Sequence, residues 1–312
     1  MIRVGTRGSA LALAQTGVVA KAVEKASGDE VEIVTVLTEG DHSTQSLSSL
    51  GGTGVFASAL REALIAEKCD LVVHSLKDLP TAAYPGLRIG AIPKRSDARD
   101  ALCARDGLTL SELPAGSRIG TGSPRRVAQL RALRPDLEVV DIRGNIDTRL
   151  SKVTNGDLDA VVLAAAGLTR LGRLDAVTEF FELADWASAP GQGALAIEVR
   201  DSYSTSFATM LKALDHTSTH IAALAERAVL ARLEAGCAAP IGASAVVDGD
   251  MLFLTATVYD PDGSQALTSS HALVLEGSPV ERLELPDELG VRVADELLKL
   301  GAADFAPLGA GS

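Results

Sequence analysis

The chain has 312 residues, 46% hydrophobic and 22% charged, with a formal net charge of −12. That length holds roughly two or three domains, and the apolar content is enough for packed cores. An acidic total disfavours a general nucleic-acid or anionic-membrane binder, and 3% aromatics argue against base stacking as the main work. No apolar run approaches the roughly 20 residues of a bilayer span. Met1-Ile2-Arg3-Val4-Gly5 enters a strand pattern at once, leaving no room for a signal peptide. Three cysteines, Cys69, Cys103 and Cys237, with no CxxC, point away from a disulfide framework or a structural zinc site and fit a reducing cytoplasm.

Arg3 to Thr6 reads as a strand ending in a turn, with Ser9 as the N-cap of a helix over 10–25. Residues 31–37 alternate as a strand, 39–54 form a glycine-rich loop, 55–67 have helical spacing, and 70–74 read as a buried strand. The pattern then returns. Arg118-Ile119-Gly120-Thr121 echoes Arg3-Val4-Gly5-Thr6, and Asp159-Ala160-Val161-Val162 echoes Asp70-Leu71-Val72-Val73. Ser123-Pro124-Arg125 has the form of an N-cap with proline at the first helical position, and 137–142 is a strand. Two similar βα lobes predict a cleft between them; an echo this short also arises by chance. Ala189 to Ala194 reads as a hinge, followed by a strand at 195–199 and a helix at 221–233. Strands at 251–259 and 272–275 around Pro261-Asp262-Gly263, and a last helix at 291–300, make a small α+β tail.

Charge is unevenly spread. Arginine outnumbers lysine 21 to 8, and between Arg118 and Arg173 nine Arg and Lys152 face six acids, a local balance of +4. A basic island in an acidic chain, built of arginine, points to carboxylates or phosphates held by two-pronged hydrogen bonds; each arginine alone fits a solvated salt bridge. The turns Thr6-Arg7-Gly8-Ser9 and Thr121-Gly122-Ser123-Pro124-Arg125-Arg126 join small residues to helix starts, where free N–H groups attract anions. Arg143, Arg149 and Arg170 follow strands and helices in the same island. In His74-Ser75-Leu76-Lys77-Asp78-Leu79-Pro80 a cation and a carboxylate stand where a buried strand opens, at the edge where α/β sheets bind ligands. Asp78 there can stabilise a developing cation or shuttle a proton; the pair also fits a surface ion pair before a proline. His74 reads as a packing residue. Cys69 and Cys103 read as buried packing residues, whereas Cys237, in a Gly/Pro loop, reads as a nucleophile or a covalent attachment point.

From Arg3 to about Ala303 the chain resembles the porphobilinogen deaminases. The likeness rests on Gly5-Thr6-Arg7-Gly8-Ser9, Val73-His74-Ser75 with Lys77-Asp78, Gly120-Thr121 with Ser123 and Arg125-Arg126, and Arg143-Gly144-Asn145 with Thr148 to Lys152. Gly191-Gln192-Gly193-Ala194 and Gly236-Cys237 with Pro240-Ile241-Gly242 complete it. The resemblance implies two lobes like those of periplasmic binding proteins, with an interlobe cleft, plus a small C-terminal α+β domain. Their spans would be 1–95 with 193–212, 98–190, and 216–312. It implies a cytoplasmic, monomeric transferase of haem and tetrapyrrole biosynthesis, without metal, nucleic-acid or membrane partners. Such an enzyme joins four porphobilinogen molecules head to tail with loss of ammonia, on a dipyrromethane primer, and releases hydroxymethylbilane by hydrolysis. Cys237 would carry the dipyrromethane through a thioether. Lys77, Thr121, Ser123, Arg125 and Arg126 would hold its carboxylates. Arg7, Ser9, Arg143, Arg149 and Arg170 would bind the substrate and the growing chain, and Asp78 would be catalytic. The sequence departs from the family at Ser49 and Thr53, where many members have lysines, at Gly122, where serine is usual, and at Pro190. Phe56 matches a family aromatic near the rings, and the loop over 40–54 would serve as a lid.

Overall fold

The computed structural model describes residues 1–36, 54–235, 239–277 and 281–308. In chain order the elements are β1 (Ile2–Arg7), α1 (Ala10–Ser27), β2 (Val31–Val36), α2 (Gly54–Ile65), β3 (Leu71–Ser75) and β4 (Leu87–Ala91). Next come β5 (Asp100–Ala104), β6 (Arg118–Gly120), α3 (Pro124–Leu133), β7 (Glu138–Val140), α4 (Ile146–Thr154), β8 (Ala160–Ala164), α5 (Ala165–Arg170) and β9 (Glu179–Phe180). The remainder is β10 (Leu195–Arg200), α6 (Thr205–Leu214), α7 (Thr217–Arg232), β11 (Ile241–Asp248), β12 (Met251–Tyr259), β13 (Ala266–Val274) and α8 (Leu285–Lys299).

These elements fall into two units, 1–96 with 193–220 and 97–192 with 221–312. The first is built on a five-stranded sheet of order β2-β1-β3-β10-β4. β1 runs parallel to β2 and β3, and β10 returns antiparallel to β3. Val4, Leu71, Val73 and Ile197 from the strands pack with Val19 and Val23 of α1 and Leu211 of α6. Leu60 and Leu64 of α2 cover Val72 and Cys69.

The second unit repeats the plan in the order β7-β6-β8-β5-β9, with β6 parallel to β7 and β8, and β5 antiparallel to β8. Its core joins Leu102, Ile119, Val162 and Leu130 to Trp186. The same unit contains the antiparallel sheet β11-β12-β13, whose apolar residues Leu252, Leu254 and Val258 bury against Val229 of α7 and Val293 and Leu297 of α8. Two α/β lobes and an α+β tail match the expected fold class.

The sequence echo has a physical content. Arg3 N donates to Asp70 Oδ2 at 2.8 Å while Asp70 N donates to the Arg3 carbonyl at 2.8 Å. Arg118 N donates to Asp159 Oδ2 at 2.6 Å, and Asp159 N to the Arg118 carbonyl at 2.9 Å. In each lobe an aspartate that precedes a central strand, β3 or β8, thus clamps the start of its parallel neighbour, β1 or β6. An arginine at the end of the returning strand completes each clamp: Arg200 at 3.8 Å from Asp70, and Arg105 at 3.0 Å from Asp159.

Candidate active site

In the first unit three of the expected residues converge. Arg7 ends β1, Ser9 caps α1 with its Oγ accepting from Ala12 N at 3.3 Å, and Asp78 closes the short 3-10 turn Leu76–Asp78 that follows β3. Together with Gln15, His74 and Ser75 they line a pocket of about 80 Å³. It lies at the carboxyl ends of two parallel strands, where main-chain direction and the following helix start favour anionic and polar ligands. Leu76 N donates to the Ala194 carbonyl at 3.1 Å, which ties the Asp78 turn to the strand entering from the Gln192-Gly193 crossover. Lys77 shares the turn but does not line this pocket.

Sequence reasoning missed Gln15 and misjudged His74. Gln15 is the buried polar residue on the α1 face that carries Leu11 and Ala12 into the pocket, and an amide inside an Ala/Leu-rich stretch was its only signal. His74 is more than packing. Its Nε2 lies 3.1 Å from Glu198 Oε2, and Arg61 grips the same carboxylate with Nε at 3.0 Å and Nη2 at 2.8 Å. All three side chains are buried. Burial pushes the Glu198 carboxyl up, but the hydrogen bonds from His74 and Arg61 prevail and hold it below the usual glutamate range.

In the second unit part of the arginine island follows β6 and β7 at the equivalent edge, whereas Arg118 opens β6, Arg131 donates to the Pro261 carbonyl and Arg134 pairs with Asp136. Thr121 follows β6 and is fully buried; its hydroxyl accepts from Ser123 N at 3.3 Å and so shapes the turn. Ser123 stands at the N-cap of α3, with Pro124 in the first turn, but its hydroxyl makes no cap bond. Arg125 and Arg126 point inward and are 3% and 6% exposed. Each pairs with the fully buried Asp100, through Nη2 at 2.8 Å and 2.6 Å. After β7, Gly144 takes φ 109°, a conformation that glycine adopts without strain, and Asn145 caps α4 by accepting from Thr148 N at 2.8 Å. That cap turns Arg149 back, so that its Nε donates to the Gly144 carbonyl at 2.8 Å. Arg143 lies 3.8 Å from Asp141. Arg170 ends α5, and burial pulls its guanidinium down to about 10. The β6 and β7 turns touch: a Cβ on Gly122 would meet the Ile142 carbonyl oxygen at 2.7 Å and Arg143 Cζ at 3.7 Å. Serine in place of Gly122 would therefore collide with the neighbouring backbone, not merely add a hydroxyl.

Cys237, Ser49, Thr53 and the expected loop up to residue 53 lie outside the described residues, as does the side chain of Phe56, while Gly54 begins α2. Cys69 and Cys103 are buried free thiols, pushed by burial to about 11 and about 12, which suits packing and not nucleophilic chemistry.

A family model described as "Porphobilinogen deaminase, dipyromethane cofactor binding domain" matches residues 2–207, and one described as "Porphobilinogen deaminase, C-terminal domain" matches 220–299. Porphobilinogen deaminase of Leifsonia xyli is 63% identical over 98% of this chain and 94% of its own length. That of Thermobifida fusca is 51% identical over 96% and 94%. Among solved structures, the VFT2 domain of Bordetella pertussis BvgS is 16% identical and covers 68% of this chain and 86% of its own, with a TM-score of 0.40. A periplasmic substrate-binding protein of an ABC transporter from Coxiella burnetii is 14% identical and covers 69% and 92%, with a TM-score of 0.42. The chain belongs to the porphobilinogen deaminase family. It is a transferase of tetrapyrrole biosynthesis that binds a dipyrromethane cofactor and polymerises porphobilinogen.

The donor set of the second unit suits that cofactor. Among the described residues, Arg125 Nε, Arg126 Nε and Arg143 Nε are buried without hydrogen-bond partners, and the Ser123 hydroxyl is not consumed by its helix. Buried N–H groups without acceptors are costly, and a group bearing acetate and propionate side chains offers the acceptors they lack.

Proposed function

We propose that Asp78 is the catalytic carboxylate, that the arginines of the second unit hold the pyrrole carboxylates, and that Cys237 tethers the dipyrromethane through a thioether. The observation that carries the reading is the shared pocket of Arg7, Ser9 and Asp78 at the carboxyl edge of β1 and β3. The tethered dipyrromethane supplies a primer and an anchor that keeps intermediates at high effective concentration. Arg7 and Ser9 bind the acetate and propionate of an incoming porphobilinogen. When its ammonia leaves, positive charge develops partly on the pyrrole nitrogen, and a carboxylate at that N–H stabilises it; Asp78 takes this role. Lys77, Thr121, Ser123, Arg125 and Arg126 hold the cofactor, with Thr121 acting through the turn it shapes. Arg143, Arg149 and Arg170 take the carboxylates added as the chain lengthens.

We also propose three domains over 1–95 with 193–212, 98–190 and 216–312, and a monomer working in the cytoplasm without membrane or nucleic-acid partners. The test is the intact mass of the purified protein, together with turnover of porphobilinogen. Wild type should carry a covalent adduct, and Cys237→Ser should lack it. Asp78→Asn should keep fold and adduct while losing nearly all turnover. An unmodified wild-type thiol, or near-normal turnover in Asp78→Asn, overturns the corresponding assignment.

A further inference from the structure

Asp100, the first residue of β5, is fully buried and accepts four hydrogen bonds. Its Oδ2 accepts from Arg125 Nη2 at 2.8 Å and Trp186 Nε1 at 2.7 Å; its Oδ1 accepts from Arg126 Nη2 at 2.6 Å and Gln192 Nε2 at 2.8 Å. The donors come from three separate stretches: the first turn of α3, the segment after β9, and the last residue before the chain passes to Gly193. The guanidiniums are also held at their other ends. Arg125 Nη1 donates to Gln129 Oε1 at 2.7 Å and to the Ala187 carbonyl at 2.6 Å, and Arg126 Nη1 donates to the Val162 carbonyl at 3.0 Å. Gln129 in turn donates to Tyr259 Oη at 3.0 Å, which links the arrangement to β12.

Two features do not fit a purely structural ion pair. First, two buried guanidiniums share one carboxylate, an excess of one positive charge. Burial and Arg126 both pull the Arg125 guanidinium down, and only Asp100 and the Tyr259 phenol counter them. A buried charge without its counterion is strongly destabilising. Second, the Nε of each arginine is buried without an acceptor among the described residues. Asp100 has no capacity left for them, since its two oxygens are already shared among four donors. The arrangement is one anion short.

We infer that Asp100 is a positioning residue for dipyrromethane binding: it fixes the planes of Arg125 and Arg126 and leaves the pair one positive charge in excess, which a pyrrole carboxylate completes. This rests on the reading above that the pair holds the cofactor. It goes further in assigning the geometry to a side chain that never meets the ligand, and it separates two effects of opposite sign. Asp100→Asn raises the local excess to two positive charges. If charge alone governed binding, the variant would take up the cofactor better. If fixed guanidinium planes govern it, the variant takes it up worse, because the new amide N–H group faces the donors of one of the two arginines, which loses its acceptor and with it its fixed plane.

The experiment follows adduct formation by intact mass when protein freed of cofactor is incubated with porphobilinogen, beside a thermal melt of each variant. Asp100→Asn should fold, melt at a lower temperature and form adduct about tenfold or more slowly, the range that outer-shell partners command elsewhere. Asp100→Glu should recover part of the rate. An Asp100→Asn protein that melts lower yet forms adduct at the wild-type rate or faster overturns the inference. Should that variant not fold, Trp186→Phe removes one of the four bonds and keeps a ring to stack on Phe181, now 4.3 Å away between centroids. It should slow adduct formation several-fold, and an unchanged rate overturns the inference. A wild type that takes up no adduct overturns the tether reading and this inference with it. An Arg126→Leu protein that takes up adduct normally overturns the cofactor-holding role of the pair. A normal rate confined to the Asp100 variants overturns the positioning role alone.

Discussion

Single residues in this chain are chosen for what their backbone must do as much as for what their side chains bind. Gly122 stands between Thr121 and Ser123, and an added Cβ would come within 2.7 Å of the Ile142 carbonyl oxygen and 3.2 Å of Asp141 Oδ1. Backbone cannot swing aside as a side-chain tip does, so the β7 turn that carries Arg143 would have to move. Gly122→Ala is therefore expected to cost about 1–3 kcal/mol, the range of overpacked sites, and to slow the later additions by displacing Arg143. Urea unfolding and intact-mass spectra of enzyme–intermediate species check it; an unchanged midpoint with an unchanged spread of intermediates refutes it. None of this is readable from the sequence, where Gly122 looks like the loss of a hydroxyl. The clash depends on Ile142, twenty positions away, and no local pattern reports that approach. The N-cap role of Ser9, by contrast, was legible because capping is a local bond to Ala12.

At the scale of elements, legibility follows the same division. The echo of Arg3-Val4-Gly5-Thr6 in Arg118-Ile119-Gly120-Thr121 marks β1 and β6, and Asp70 and Asp159 make the same backbone clamp in both lobes. Strands with apolar runs, such as β3 and β12, stood out. β11 did not: Gly242-Ala243-Ser244-Ala245 has the small residues of a loop. They are small because the strand packs closely, with a Cβ on Gly242 only 2.5 Å from Ala187 Cβ, and with Ala243 N donating to the Ser188 carbonyl at 2.9 Å. The sequence pattern puts the last helix at 291–300, whereas α8 begins at Leu285 with Pro286 in its first turn, a position proline tolerates. Least legible was the buried cluster joining α2, β3 and β10, because Glu198 lies 137 residues from Arg61 and 124 from His74. Glu198→Gln leaves Arg61 and His74 buried around a neutral amide and is expected to cost about 3–5 kcal/mol at pH 7. The native pairing holds the carboxyl below its ordinary 4.5, so its contribution is complete above that value and is lost as pH falls through the depressed folded value. The gap between wild type and variant should accordingly be wide at pH 7 and narrow well below pH 4.5. Chemical denaturation at both values measures it, and a gap that is small at pH 7 or unchanged in acid contradicts the assignment.

For the whole molecule, charge distribution matters more than total charge. A protein of net charge −12 repels polyanions at long range, yet it polymerises a substrate that bears acetate and propionate. The positive balance of four between Arg118 and Arg173 resolves this, since the fold delivers Arg143 and Arg149 from the β7 edge and Arg170 from the end of α5. Attraction is then short-ranged and made of directed hydrogen bonds, whose forked geometry suits planar carboxylates. Each porphobilinogen added brings two more carboxylates, so on the proposed assignment the demand for arginine rises with every cycle while the chemistry proposed for Asp78 stays the same. Removing one arginine should thus harm late cycles more than early ones. Arg143→Leu and Arg149→Leu are expected to load the first porphobilinogen units and then stall, so that enzyme–intermediate species accumulate in intact-mass spectra after brief incubation with substrate. An Asp78→Asn protein should instead halt before the first addition. If both arginine variants run through to hydroxymethylbilane with the wild-type spread of intermediates, the island serves stability or solubility and not elongation. If they fail at the first addition, as Asp78→Asn does, the arginines act on the incoming monomer and not on the lengthening chain.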